Sequence, residues 1–246
     1  MGELSEVVVQ VLMVGGVFAG ALVSGFCGFA FSAVAGAVLL HILPPSEAVP
    51  LMMSCSVLVQ SVCLYKLRRQ IEWRASAPMV LGGLAALPPA LYALLHADPT
   101  ALRVGFGCLL AAYAGYMLLS PRARAFAGAG SPWQKAVVGF LGGLVGGVTA
   151  MPGAVATVWC DLRGVPKDGQ RLLVQPYIAA LQVAALAFLA ARSELPQNVL
   201  TELAVALGPL AIGALAGLAL FGRVSDRLFR RAMLSILLVS GLSYVF

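Results

Sequence analysis

Residues 16–34, GVFAGALVSGFCGFAFSAV, lie within a stretch from Val7 to Leu43 that contains no Lys, Arg, Asp or Glu. A chain this apolar can form one uninterrupted helix, yet Ser24, Gly25, Cys27, Gly28 and Ser32 crowd together within it. Glycine is a poor helix former and opens backbone conformations closed to other residues, so residues 24–28 are expected to break the helix. A new helix is then expected to begin at about 27–29.

Composition says what surrounds this break. Of 246 residues, 61% are hydrophobic and 11% charged, with a mean hydropathy of +0.95. A soluble domain carries about 25% charged residues, so lipid must be the solvent for most of this surface. The chain therefore reads as an all-α polytopic membrane protein with no room for a soluble domain. Its opening MGELSE has two acids and no base, unlike a cleavable signal peptide, so the first apolar segment is expected to stay in the mature protein. The net charge of +6 sits in a few short loops, as the positive-inside bias requires, and no nucleic-acid-binding motif accompanies it. None of the five cysteines forms a CxxC pair, and apart from Cys27 they read as small packing residues.

Loop charge sets the topology. Lys66, Arg68, Arg69 and Arg74 mark one cytoplasmic loop; Arg122, Arg124 and Lys135 a second; Arg163, Lys167 and Arg171 a third; Arg223, Arg227, Arg230 and Arg231 a fourth. The basic-poor termini, the PPSE turn at 44–47, the HADPT turn at 96–100 and the 192–197 connection fall outside the cell. Residues 7–43 must then cross an even number of times, as segments 7–24 and 26–43, before single crossings at 47–66, 76–95 and 102–120. Residues 134–164 repeat the hairpin and are followed by 170–191, 198–221 and 228–246. This predicts two inverted-topology repeats, 1–125 and 126–246, each a glycine-broken hairpin plus three transmembrane helices. GVFAGALVSGFCGFAFSAV at 16–34 parallels GFLGGLVGGVTAMPGAVAT at 139–157 in support of the duplication. Arms of 18 residues reach about 27 Å, nearly a full span, whereas 152–164 is shorter, so crossing and re-entrant hairpins both stay open.

The second break falls at 149–153, with Thr149, Met151, Pro152 and Gly153. Irregular backbone at membrane depth is tolerated only where protein or a water-filled cavity satisfies it. The helix that follows each break presents unpaired N–H groups and the positive end of its dipole, so two such ends make a cradle for a small anion. Ser24, Ser32, Thr149 and Thr157 can donate hydrogen bonds there, and Cys27 can line or pack. Arg171, Gln175 and Gln182 share one face of the helix that follows the second hairpin, and Gln60 occupies the corresponding helix of the first half. Buried amides and a cation in a membrane helix are candidate lining groups, with helix–helix hydrogen bonding and snorkelling as the plainer readings. The candidate substrate-binding set is Ser24, Gly25, Cys27, Gly28, Ser32, Gln60, Thr149, Met151, Gly153, Arg171, Gln175 and Gln182. Asp161 reads chiefly as an interfacial acid near Arg163, Lys167 and Asp168.

The two glycine blocks, with HILPPSEAV after the first and VWCDLRGVPKDGQRLLVQPY after the second, resemble the TauE/SafE family of sulfite exporters over nearly the whole chain. The resemblance implies a membrane transporter exporting small sulfur-containing anions such as sulfite or organosulfonates. This chain departs from the family's tighter glycine run after the first break, where it has Gly28, Phe29, Ala30, Phe31 and Ser32, and has Met151, Pro152 and Gly153 at the second.

The expected function is therefore a secondary transporter in the cytoplasmic (inner) membrane, exporting a small anion by alternating access around the two breaks. A proton or sodium ion is the candidate coupling ion, a homodimer the candidate assembly, and no cofactor or metal is called for. An anion channel and a non-transporting membrane scaffold are the alternatives. An intramembrane enzyme lacks support, because the chain has no HExxH, no GxSxG elbow and no paired intramembrane acids.

Overall fold

The computed structural model describes residues 2–71, 73–96, 98–119, 130–221 and 223–245. Arg122, Arg124 and the boundary between repeats at 125 lie outside the described residues. Every element among those residues is an α-helix: α1 (Gly2–Cys27), α2 (Phe31–Ile42), α3 (Pro45–Leu67), α4 (Trp73–His96), α5 (Pro99–Leu119), α6 (Pro132–Thr149), α7 (Gly153–Leu162), α8 (Lys167–Ala191), α9 (Val199–Phe221) and α10 (Asp226–Val245). Spans in α1, α3, α4, α8 and α9 are long and apolar enough to cross a membrane. With 12 and 10 residues, α2 and α7 reach only about 18 and 15 Å, short of a hydrocarbon core of about 30 Å.

The first break lies later than the composition suggested. Helix α1 continues through Ser24 and Gly25 to Cys27, the irregular backbone is Gly28 to Ala30, and α2 begins at Phe31 rather than at 27–29. Gly25 is an ordinary helical residue. It lacks a side chain because the backbone of α9 at Ala214 and Leu218 passes directly over it. Gly28 makes the turn, with φ of +88°, where a side chain would be strained. At the second break the left-handed residue is Ala150, with φ of 57°, while Gly153 is simply the first residue of α7.

The two breaks share one construction. The Gly28 amide donates to the Ser24 carbonyl and the Ala150 amide to the Gly146 carbonyl, each closing the end of its helix. From Gly28 to Ala150, from the start of α2 at Phe31 to that of α7 at Gly153, and from the start of α3 at Pro45 to that of α8 at Lys167, the separation is the same 122 residues. That register differs by one residue from the glycine alignment of 16–34 with 139–157, which matched glycines used for packing rather than the turns themselves.

Close crossings set the direction of the helices. On α9, Gly213 lies against Phe18 and Gly217 against Leu22, so α9 runs parallel to α1. Gly139 against Met79, Gly143 against Gly83 and Gly147 against Ala90 make α6 parallel to α4. Gly16 against Val38 and Gly20 against Ala35 fold α2 back along α1 as an antiparallel hairpin. Small residues bring backbones together, which lets dispersion and packing hold helices where lipid offers no hydrophobic drive.

The basic loops gather at one end of the bundle. Lys135 donates to the Ala75 carbonyl (3.2 Å), Arg163 to the Gln134 side chain (2.7 Å) and Lys167 to the Val224 carbonyl, linking four connections. At the opposite end Asn198 donates to Glu47 (3.2 Å) and Glu202 (2.9 Å), joining the 192–197 connection to the PPSE turn. Trp73 and Trp133 are exposed at the basic end, as interfacial anchors are.

Two glycines of α9 give opposite expectations. A methyl group at Gly217 would collide with the Leu22 carbonyl and the Phe26 amide, whereas Gly208 faces open space. Gly217→Ala should cost about 1–3 kcal/mol, and Gly208→Ala should stabilise by up to about 1 kcal/mol through helix propensity. Thermal unfolding of both variants in one detergent checks the pair; equal shifts would contradict this packing.

Candidate functional site

A helix that ends inside a protein leaves carbonyls without partners, and these two ends find theirs on α2, α3 and α8. Gln60 of α3 donates Nε2 to the Gly28 carbonyl (2.9 Å). Gln182 of α8 donates Nε2 to the Ala150 carbonyl (3.2 Å), which also accepts from the Ser32 hydroxyl of α2 (2.8 Å). The two glutamine bonds span the same 32 residues of sequence in the same sense, each tying a break to a later helix.

Arg171 completes the first break. Its Nη2 donates to the Gly25 carbonyl of α1 and lies 3.6 Å from Cys63 Sγ of α3. Its guanidinium stacks 4.2 Å from the ring centre of Phe221 at the end of α9. Arg171 is 3% exposed, and its Nε and Nη1 have no hydrogen-bond partner among the described residues. Gln175, one turn further along α8, is buried with both amide atoms unpartnered, and its amide packs beside Gly28. A side chain at Gly28 would enter the space these two residues use.

The breaks also meet each other. Gly153 packs against Phe29 of the first break, and Ser32 reaches Ala150 of the second. Neither Ala30 before α2 nor Pro152 before α7 supplies a side-chain cap to the helix that follows it. Ser24 Oγ, one turn before Gly28, and Thr157 Oγ1, one turn after Gly153, are buried without partners among the described residues. A buried cation, unpaired amides and hydroxyls and two uncapped helix starts make a neutral-to-positive, donor-rich interior. It is suited to oxygen atoms that carry negative charge.

The remaining candidates have plainer placements. Thr149 turns its hydroxyl back to the Val145 carbonyl (2.8 Å) within α6. Cys27 and Met151 are buried among apolar side chains in the core, and Gly25 serves the α1–α9 crossing. Three participants had no sequence signal of their own. Phe221 and Cys63 look like ordinary apolar residues until α9 and α3 are brought beside Arg171, and Ala150 adopts a conformation that only its backbone angles reveal. Thr157 was visible as a hydroxyl next to the second break, and its burial without a partner makes it a stronger candidate than Thr149.

Replacing Gln60 by leucine leaves the Gly28 carbonyl without its side-chain donor, and replacing Gln182 leaves the Ala150 carbonyl with the Ser32 hydroxyl alone. Gln60→Leu and Gln182→Leu should each destabilise by about 1–3 kcal/mol, while Ser61→Ala, at an exposed neighbouring hydroxyl, should stay within about 0.5 kcal/mol. Thermal unfolding of the three variants tests whether the glutamines hold the breaks.

Among known proteins, the family described as sulfite exporter TauE/SafE matches residues 12–244. No curated protein and no solved structure matches the chain. The family is one of membrane transporters rather than enzymes, and it implies membrane export of sulfite or a related sulfur anion. With nearly its whole length matched, the chain belongs to the TauE/SafE family.

Proposed function

We propose that this protein is a secondary transporter that moves a small sulfur-containing or organic anion outward across the cytoplasmic membrane, by alternating access around its two helix breaks. The observation that carries this reading is Arg171, a buried guanidinium with unpartnered nitrogens set against the first break. A charge buried in a membrane protein costs several kcal/mol unless it is compensated. A transported anion supplies that compensation when bound, exchanging for the Gly25 carbonyl and the Phe221 ring as partners of the guanidinium.

An inverted repeat provides the two alternating faces. Its supports are the common 122-residue register, the parallel pairs α1 with α9 and α4 with α6, and the antiparallel run of α3 beside α8, where Cys63 meets Arg171 and Met53 lies near Gln182. Each hairpin packs on the other half, so tilting one half against the other moves the breaks relative to the glutamines that hold them. By the positive-inside rule the basic end faces the cytoplasm and both termini face outward. The chain has no phosphate-binding P-loop, so flux draws on gradients. An inside-negative potential favours anion exit by about 2.3 kcal/mol per charge per 100 mV. A proton or sodium ion can add to this, and a homodimer is compatible with a site contained within one chain.

Efflux from proteoliposomes loaded with sulfite or methanesulfonate tests the reading. Flux should saturate with concentration, and Arg171→Gln should lower it at least tenfold in protein that keeps its thermal transition. Flux that rises without saturation would identify a channel, and unchanged saturable flux in Arg171→Gln would remove the site from this place.

A further inference from the structure

The geometry points to Phe221 as the cytoplasmic gate of this site: its ring covers the Arg171 guanidinium at the basic end of the bundle, and an anion reaches the guanidinium past Lys167 when that ring swings away. The use of the gate rests on the transport reading above, while the gate itself stands on the packing around Phe221.

Helix α8 begins at Lys167, so Arg171 lies only about 6 Å along the helix from its start. An arginine so near the end of a membrane helix ordinarily extends its side chain to the interface. Here Asp168 is exposed and Lys167 partly buried, but Arg171 is 3% exposed. Its guanidinium turns inward, to the Gly25 carbonyl of α1 and the Cys63 thiol of α3.

Phe221, the last residue of α9, lies over it from the basic end. The ring centre is 4.2 Å from the Arg171 guanidinium and 5.0 Å from Lys167 Nζ, so two cations one turn apart share one aromatic ring. Phe229 of α10, itself buried, meets Phe221 edge-on with ring centres 5.7 Å apart and Phe26 of α1 at 5.7 Å. The closure is thus made by rings from α1, α9 and α10. Phenyl rings make no conventional hydrogen bonds, so displacing Phe221 gives up packing and cation–π attraction alone. An anion on the guanidinium replaces that attraction with charge-assisted hydrogen bonds. At the 122-residue spacing of the two halves, Lys167, Arg171 and Phe221 correspond to Pro45, Val49 and Pro99, so neither the two cations nor the ring is repeated at those positions of the first half.

Cys63 is a natural reporter of the gate, buried and 3.6 Å from Arg171 Nη2. Membrane-impermeant methanethiosulfonate reagents, one bearing a sulfonate and one a trimethylammonium group, can be applied to either face of vesicles holding the full-length protein, with labelling read cysteine by cysteine by mass spectrometry. From the cytoplasmic face, Phe221→Ala should raise the labelling rate of Cys63 on the order of tenfold or more and leave that of the distant Cys55 unchanged. Phe221→Leu, which removes the ring but keeps apolar bulk for folding, should raise it as well, whereas Phe221→Tyr, which keeps the ring, should stay near wild type. Once each reagent is normalised to its rate with a free thiol, the sulfonate should be favoured about tenfold in the opened variants, and Lys167→Gln should reduce that preference.

Cys63 labelling that stays unchanged in both ringless variants, that rises from the outer face alone, or that rises together with Cys55 as in generally loosened packing would overturn the gate. Equal or faster labelling by the cationic reagent would overturn the route past Lys167. None of these readouts needs flux, so a gate that opens in protein showing no saturable efflux would overturn the transport reading alone.

Discussion

A helix that stops within a bilayer must satisfy the carbonyls and amides it releases, because no water is at hand to do so. In this protein that requirement is met by three long side chains, Gln60, Gln182 and Arg171, and one hydroxyl, Ser32. They reach the breaks from three helices, α2, α3 and α8. The breaks are therefore held by tertiary contacts, and the placement of α2, α3 and α8 follows from them.

The two breaks are built alike but equipped differently. At the 122-residue spacing, Gln60 corresponds to Gln182 and Gly28 to Ala150, while Arg171 corresponds to Val49 and Gln175 to Met53, both buried and apolar. Ser32 in turn corresponds to Ala154. The glutamine bond recurs at the second break and the charge does not. Hydrogen bonding from a glutamine is thus common to both breaks, whereas the cation beside the first break has an apolar residue in its place at the second.

Small residues and long side chains hold this arrangement in different ways. Backbone lies on backbone where α1 crosses α9 and where α4 crosses α6. The break contacts are made instead by single hydrogen bonds from flexible side chains, each worth about 1 kcal/mol net. The proposed alternating-access cycle would exchange these weaker contacts while keeping the tightly packed pairs.

Much of this was legible in the amino-acid order. Composition placed the chain in lipid, loop charge grouped the connections into two sets of which several members are joined by hydrogen bonds at one or the other end of the bundle, and the glycine blocks located both breaks to within a few residues. The spacing of Arg171, Gln175 and Gln182 put them on one helical face, and all three are buried. These features depend on local periodicity and on partition between water and lipid, which a sequence carries directly. Tertiary structure decided the rest: that Gly28 and Ala150 make the turns while Gly25 makes room for α9, that Phe221 and Cys63 flank the guanidinium, and that Thr149 satisfies itself within its own helix. A glycine reads the same whether it is needed for its backbone angle or for its missing side chain, and only the neighbour that approaches it tells the two apart.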